Sequence, residues 1–555
     1  MIRRLIKFFA LVLSFVMMAS AVSCVVPNIP TITTTTNNGG NGGNGGGDNN
    51  TPTDPVVDPI ADNYRVFYQV FVGSFSDGNN DGIGDLQGII NRMDYLNDGD
   101  INTTDDLGIQ GLWLSPIFSS PTYHKYDAKD YYSIDWRFGN EDVLKKLINL
   151  CHERNVKIIL DLAINHTSDQ HPWFLEFKKA RMEGDTSSKY YNFYTCVKTA
   201  DKKNDISYTR IPAIDGWYEC NFSSSMPELN FDNPDVREAM LDVARYWLDM
   251  GVDGFRFDAV KYIYYGNTSK SAAFWNWYMG ELRKEYPEIY TIGECWSGDS
   301  EVIQYYGAMN CFNFSMSTAE GQVAMAAKGT SNISRYTNYV VSYLNSIKGK
   351  NPDSMMIPFL SNHDQDRIAG AFITENNMKM AANLYILCSG SPVIYYGEEI
   401  GLRGKRGSEL TDANRRLAML WGDGDLVKDP VGSCYPESNQ IKTTVASQLE
   451  DPNSLLNHYS NVIAVRNKYP AIARGSYSAL SSSNKNIGGF LVSYQGEKLG
   501  IIHNTSSSPI TIDVTTFSGL NGYTFKQLCD YVGVGDAMLN GTKLTISGHT
   551  SVILK

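Results

Sequence analysis

From residue 64 onward, short runs of apolar residues alternate with longer stretches whose apolar positions recur every three or four residues. Residues 66–71, 111–116, 156–160, 251–254, 289–292 and 355–360 read as strands. Between them, 141–154 places Val143, Leu144, Leu147, Ile148 and Cys151 on one helical face. Asn233-Pro234 opens a further helix, with Asn233 as its cap, Pro234 in its first turn, and a stripe of Val236, Met240, Val243 and Trp247 to bury. Residues 455–468 form a last helix of the series. Strand then helix, repeated, predicts an α/β fold, and in a (β/α)₈ TIM barrel the ends of the parallel strands converge on one face.

Three regions depart from this rhythm. Residues 167–232, rich in Tyr, Asn, Ser and Lys, are far too long for a strand-to-helix connection and predict a functional loop or a small inserted domain. After 468 the chain becomes strand-like with turns (476–482, 488–494, 499–504, 510–514, 544–554), which predicts a C-terminal antiparallel β-sandwich. At the other end, Arg3, Arg4 and Lys7 precede an almost wholly apolar 8–22, the pattern of a secretory signal. It ends in Ala21-Val22-Ser23-Cys24, similar to a bacterial lipobox in which Cys24 takes the lipid; a plain secretory signal or an uncleaved anchor is the alternative. Residues 31–58 are Thr, Asn/Gly and Pro repeats with no apolar pattern, and read as a flexible tether. The expected division is therefore signal 1–24, tether 25–62, barrel 63–166 and 233–470, insertion 167–232, and sandwich 471–555.

A net charge of −12 argues against nucleic acid or an anionic membrane surface as partner, leaving a lipid anchor as the expected link to a membrane. It suits a neutral substrate such as a sugar polymer. The cysteines show no CxxC spacing, which argues against zinc. Cys151 and Cys388 lie in apolar runs as core residues, whereas Cys196 and Cys220 flank one loop-rich segment and either pair outside the cytoplasm or stay as thiols.

Four polar segments close the apolar runs: Asp161-Leu162-Ala163-Ile164-Asn165-His166, Gly254-Phe255-Arg256-Phe257-Asp258-Ala259-Val260-Lys261, Gly293-Glu294-Cys295-Trp296, and Asn362-His363-Asp364-Gln365-Asp366-Arg367. Glycosidic bond cleavage needs one carboxyl group to protonate the leaving oxygen and another to attack or stabilise the anomeric carbon. Arg256 and Asp258, two apart, would share one side of a strand, where the guanidinium keeps Asp258 ionised; Glu294 has no such neighbour in sequence and is followed by the apolar body of Trp296, a setting that raises an acid's pKa. In this order and spacing the four segments resemble the signature regions of the α-amylase family of glycoside hydrolases, over residue 64 to the C-terminus. The resemblance implies Asp258 as nucleophile, Glu294 as general acid/base, Asp364 as transition-state stabiliser, and retention of configuration with the two carboxyls about 5–5.5 Å apart. It further implies substrate contacts from Tyr126, His166, Arg256, Lys261, His363 and Arg367, and identifies 167–232 as the family's domain B. Lys125 stands where the family has glycine, and Tyr262 where it often has histidine.

The loop Asp77-Gly78-Asn79-Asn80-Asp81-Gly82-Ile83-Gly84-Asp85 sets oxygen donors at alternate positions, a hard-ligand pattern that selects Ca²⁺. By the same resemblance Asp77, Asn79, Asp81, the Ile83 carbonyl and Asp85 hold a structural calcium, and Asn165 belongs to a second site. The expectation is an extracellular, surface-tethered monomer cleaving internal α-1,4 bonds of starch and maltodextrins. An oligosaccharide-specific α-glucosidase or a maltogenic, neopullulanase-like hydrolase is the alternative, because Met226-Pro227-Glu228-Leu229-Asn230 resembles a region of such intermediate members. Against it, Ala259 follows the nucleophile where α-1,6-specific members have valine. A non-catalytic binding protein is disfavoured, since all three carboxylates are present.

Overall fold

The computed structural model describes residues 61–555 apart from Ile373 and Leu410. The signal, the Cys24 lipobox and nearly all of the tether lie outside the described residues. Among the described residues no helix is long and apolar enough to cross a membrane.

In chain order the first strands are β1 (Phe67–Val70) and β2 (Gly111–Leu114), a short antiparallel pair β3 (Phe118–Ser119) and β4 (Asp130–Ile134), and β5 (Lys157–Leu162). The segment after β5 carries β6 (Cys196–Val197), β7 (Tyr208–Arg210) and β8 (Trp217–Glu219), and β9 (Gly254–Phe257), β10 (Tyr290–Gly293), β11 (Asn310–Cys311) and β12 (Val393–Tyr395) follow. One parallel sheet runs β11-β10-β9-β5-β2-β1-β12. Parallel bridges Phe312 to Ile357 and Phe359 to Val393 put residues 355–360 between β11 and β12, which closes the ring of a (β/α)₈ barrel.

Alternation along each strand builds two cores. Tyr68, Val70, Leu112, Leu114, Phe255 and Phe257 pack outward under the helices. Phe67, Trp113, Ile159, Tyr290, Ile292 and Phe359 fill the barrel itself. Gly111 is required there: a Cβ would stand 2.5 Å from the Phe67 ring. The helix Glu141–Glu153 and the helix Pro234–Asp249 form as the apolar spacing predicts, and the Asn233 side chain accepts from Asp235 N as cap. Leu455–Lys468 is helical over the predicted span.

One barrel expectation is corrected. The strand expected at 251–254 is Gly254–Phe257, because Gly251 (φ 108°) turns the chain out of the preceding helix and the sheet begins after it. Between β5 and the helix Pro234–Asp249 the chain forms the helix Pro172–Glu183 and the antiparallel sheet β6-β8-β7, the secondary structure of a small inserted domain. Cys196 and Cys220 are free thiols: Cys196 pairs with Tyr218, so Cys220 lies diagonally, beyond ordinary disulfide reach.

At the C-terminus, β13 (Ser476–Ser481), β14 (Ile487–Tyr494), β15 (Glu497–Asn504), β16 (Ile510–Asp513), β17 (Leu528–Gly533), β18 (Ala537–Asn540), β19 (Lys543–Ile546) and β20 (Thr550–Leu554) make two antiparallel sheets, β13-β14-β15-β20-β17 and β16-β19-β18. Leu480, Ile502, Phe525, Leu544 and Val552 form their shared core. The single strand expected over 544–554 is two strands in different sheets, broken at His549 (φ 50°).

Candidate active site

Inward-facing positions at the C-terminal ends of the strands bring Gln69, Trp113, Asp161 and Arg256 into one place, with Asp258, Glu294 and His363 just beyond strand ends. Arg256 is the centre. It is fully buried, and its Nη1 lies 2.7 Å from both Asp161 Oδ1 and Asp258 Oδ1, while its Nη2 lies 3.1 Å from Glu294 Oε1. The Arg256–Asp258 contact is the one that the i, i+2 spacing predicts. The tie to Glu294 is made through space, and sequence neighbours do not reveal it.

Three carboxyls around one guanidinium leave an excess of acid. Burial raises Asp161 and Glu294 to about 7 each and lifts Asp258 as well, with Arg256 pulling all three down. The contacts differ in how firmly they hold each carboxylate. Asp161 accepts from Arg256, from Tyr126 OH at 2.9 Å and from Trp113 Nε1 at 3.2 Å. Asp258 has the short 2.7 Å contact. Glu294 has the longer contacts, an ion-pair distance of 3.1 Å to Arg256 and a hydrogen bond of 3.2 Å from Ala259 N, so its carboxylate is the least firmly held of the three. Its raised pKa comes from burial; the Trp296 ring instead stacks on Phe314 at 5.3 Å.

Asp364 faces this group with the opposite character. Although burial opposes it, His363 and then Arg416 hold its carboxyl far below the usual range. Arg416 Nη2 stands 2.7 Å from Asp364 Oδ1, its Nε donates to the His363 carbonyl, and its Nη1 donates to the Tyr123 hydroxyl at 2.9 Å. Gln69 Nε2 donates to His363 Nδ1 at 2.7 Å, which leaves the ring proton on Nε2, facing Asp364 Oδ2 at 3.1 Å and Tyr126 OH at 2.6 Å. The Tyr126 and His363 rings lie parallel, 5.4 Å apart.

His166 is buried, and burial lowers its pKa to about 4, so it is neutral; among the described residues its Nε2 has no hydrogen-bond partner. Lys261 Nζ donates to the Trp296 carbonyl at 2.8 Å, bridging the loops after β9 and β10. Arg367 borders the smaller cavity beside Asp364, but most of its guanidinium is spent on backbone. Its guanidinium donates to the carbonyls of Arg415 and Tyr396 and lies over the rings of Tyr395 and Tyr396, so it braces the loop after β12. Arg416 meets Asp364 in its place, and sequence reading missed it: it sits in an aperiodic loop next to a second arginine.

Two cavities border this region. One of about 930 Å³ is lined by Tyr126, His166, Asp258, Glu294 and Arg416, the other of about 700 Å³ by Asp366, Arg403 and Tyr435; Trp296 and Asp364 border both.

The loop after β1 lies apart from this centre in sequence. Asp77 accepts from the amides of Asn80 (2.7 Å) and Gly82 (2.6 Å), Asp81 from Ile83 N (2.8 Å), and Asp85 caps the helix Leu86–Asn91 through Gly88 N (2.7 Å). Burial raises Asp85, and the charges of Asp77 and Asp81 add to the rise. Such a self-repelling, all-oxygen set fits a hard divalent cation in its donor chemistry. Among the described residues, no three His, Cys, Asp or Glu side chains are gathered as a metal centre. Asn165 Nδ2 stands 3.4 Å from His166 Nδ1, and the Asn165 carbonyl accepts from Leu229 N.

Comparison with known proteins agrees with this geometry. The chain is 33% identical over 478 residues to Alpha-amylase 3 of Dictyoglomus thermophilum, covering 85% of this chain and 89% of that one. It is 30% identical over 475 residues to the trehalose synthase/amylase TreS of Mycolicibacterium smegmatis, covering 73% and 76%. The solved structure of Eubacterium rectale Amy13B superposes with a TM-score of 0.81 at 33% identity, covering 90% of this chain and 96% of that one. The family profile described as "Alpha amylase, catalytic domain" matches residues 69–475, and the chain belongs to the α-amylase family of glycoside hydrolases.

Proposed function

We propose that this enzyme cleaves internal α-1,4-glucosidic bonds of starch and maltodextrins with retention of configuration. The observation that carries the reading is that Asp258 and Glu294 share one buried guanidinium, Arg256, and both line the larger cavity. Asp258 attacks the anomeric carbon as Glu294 gives its proton to the leaving oxygen, forming a glycosyl ester. Glu294, now a carboxylate, takes a proton from water; the water displaces Asp258 and restores both groups. Sharing one guanidinium suits the close carboxyl spacing of this route. His166 and Arg416 line the larger cavity and would bind sugar hydroxyls, Tyr126 offers its ring there, and His363, buried behind them, holds Tyr126 and Asp364 in place. Space on both sides of Asp364 and Trp296 favours a chain that threads through over one that enters by its end.

A product time course on soluble starch tests this. Mixed oligomers with an early fall of iodine colour are expected; glucose or maltose alone from the first minutes, with colour persisting, would favour the oligosaccharide-specific alternative.

The loop Asp77, Asn79, Asp81, Ile83 carbonyl and Asp85 is proposed to hold Ca²⁺ as a structural ion that neutralises the loop's carboxylates. Chelation is then expected to lower the melting temperature by roughly 5 °C, calcium to restore it, and Asp81→Ala to abolish the response. Calcium titration counts the ions: one for this loop alone, two where Asn165 serves another. The N-terminal pattern supports an extracellular enzyme tethered to the cell surface through Cys24.

A further inference from the structure

We infer that Lys125 is a positioning residue: its buried ammonium ties the turn that carries Tyr126 to Asp135 and so sets the floor of the sugar pocket. The inference rests on the proposed role of the pocket in binding a glucosyl unit. Lys125 is only 2% exposed and holds a left-handed backbone, φ 66°, which side-chain-bearing residues rarely adopt. Thr122, Tyr123, His124 and Tyr126 all line the larger cavity. The left-handed residue between His124 and Tyr126 reverses the chain, so both neighbours face the cleft while Lys125 runs back behind them.

What it meets there is a rigid frame. Lys125 Nζ lies 2.7 Å from Asp135 Oδ2, donates to the Thr122 carbonyl at 3.0 Å and sits over the Phe138 ring. Asp135 is buried too, clasped by Arg137 through Nε at 2.8 Å and Nη2 at 3.0 Å, and its amide donates to Ile117 O at 2.8 Å just beyond β2. The turn is thus fastened behind by an ion pair and in front by Asp127, which accepts from Ser120 and Thr122. Glycine would take the same torsion without strain but would offer no anchor. A left-handed residue with a buried side chain persists when its surroundings over-determine it, as Asp135, Thr122 and Phe138 do here. What the anchor places is Tyr126, whose hydroxyl bridges Asp161 and His363.

The test uses three variants on any α-glucoside that the wild type turns over. Lys125→Met keeps the stem without the charge, Lys125→Gly frees the backbone without an anchor, and Lys125→Arg keeps a cation. Met and Gly are expected to lower kcat/KM about ten- to a hundredfold, mainly through KM, since small misplacements of a binding group have effects of that size. Arg is expected to recover most of the loss. In a Tyr126→Ala background, Lys125→Met should add little, because both changes act through one ring. A merely structural lysine would multiply the two losses and shift the melting temperature in proportion. Wild-type kinetics for Lys125→Gly, or multiplying losses in the cycle, would overturn the inference. Should Lys125→Met fail to fold, Gly and Arg carry the comparison. Failure of the glycosidase reading itself shows elsewhere, in an Asp258→Asn enzyme that still turns over.

Discussion

Asp258→Asn is expected to lower turnover of starch by at least about 10⁴-fold while leaving the melting temperature close to that of the wild type, because an amide cannot form the glycosyl ester. Glu294→Gln should lose about 10²- to 10⁴-fold, the range of a missing general acid. The two differ in their response to the substrate. An aryl or fluoride leaving group that needs no proton should rescue the first step in Glu294→Gln and do nothing for Asp258→Asn. They differ with pH as well. Glu294 must be protonated to act, and its pKa is pushed up to about 7, so wild-type kcat/KM should fall as pH rises above about 7. That falling limb should vanish in Glu294→Gln. Residual turnover of a few per cent in Asp258→Asn, or a basic limb that survives in Glu294→Gln, would reassign the roles.

How far the sequence anticipates this centre depends on whether a residue's partners are local. Asp161, Arg256 and Asp258 lie in or beside strands, where a period of two sets the direction of each side chain, so their convergence follows once the strands are parallel. The helices at Glu141, Pro234 and Leu455 were legible because one face is buried and the other solvated. Strand β9 lies later than the apolar run suggests because the apolar Val252 precedes it and the charged Arg256 interrupts it. The helix Pro172–Glu183 has no marked apolar face, and Leu528–Gly533 mixes polar and apolar residues on both sides, so neither announces itself.

The site shows the same boundary. Neighbouring Arg415 and Arg416 are indistinguishable by pattern, yet Arg415 turns out to Asp366 and Asp412 while Arg416 turns in to Asp364. Their fates are set by the loop after β12, whose path depends on residues far away in the chain. The resemblance to the family supplied the roles that periodicity could not, and Arg367 shows its limit: the residue is present in register, but its guanidinium is used on backbone carbonyls.

Arg256→Met is the more searching substitution, because it removes the one cation shared by three buried carboxyls. Breaking a buried ion pair leaves uncompensated charge and costs about 3–5 kcal/mol, which urea unfolding at neutral pH should register. Protonation offers the variant partial relief. Without the guanidinium, the folded-state pKa values of Asp161, Asp258 and Glu294 rise further above their unfolded values. Groups raised in this way bind more protons folded than unfolded, so their stability is fully present below the unfolded carboxylate range and is lost as pH rises through 7. The variant should therefore fall behind the wild type more at pH 8 than at pH 5. Its activity should move the other way. Asp258 must be ionised to attack, and a raised pKa shifts the acid limb of kcat/KM to higher pH, within an overall loss of at least about 10³-fold. Arg256→Lys keeps a charge but not the fork that meets Asp161, Asp258 and Glu294 at once, and it should recover stability more than rate. A methionine variant whose stability has the wild-type pH dependence and whose acid limb stays in place would show that Arg256 is not the counter-charge on which the site is built.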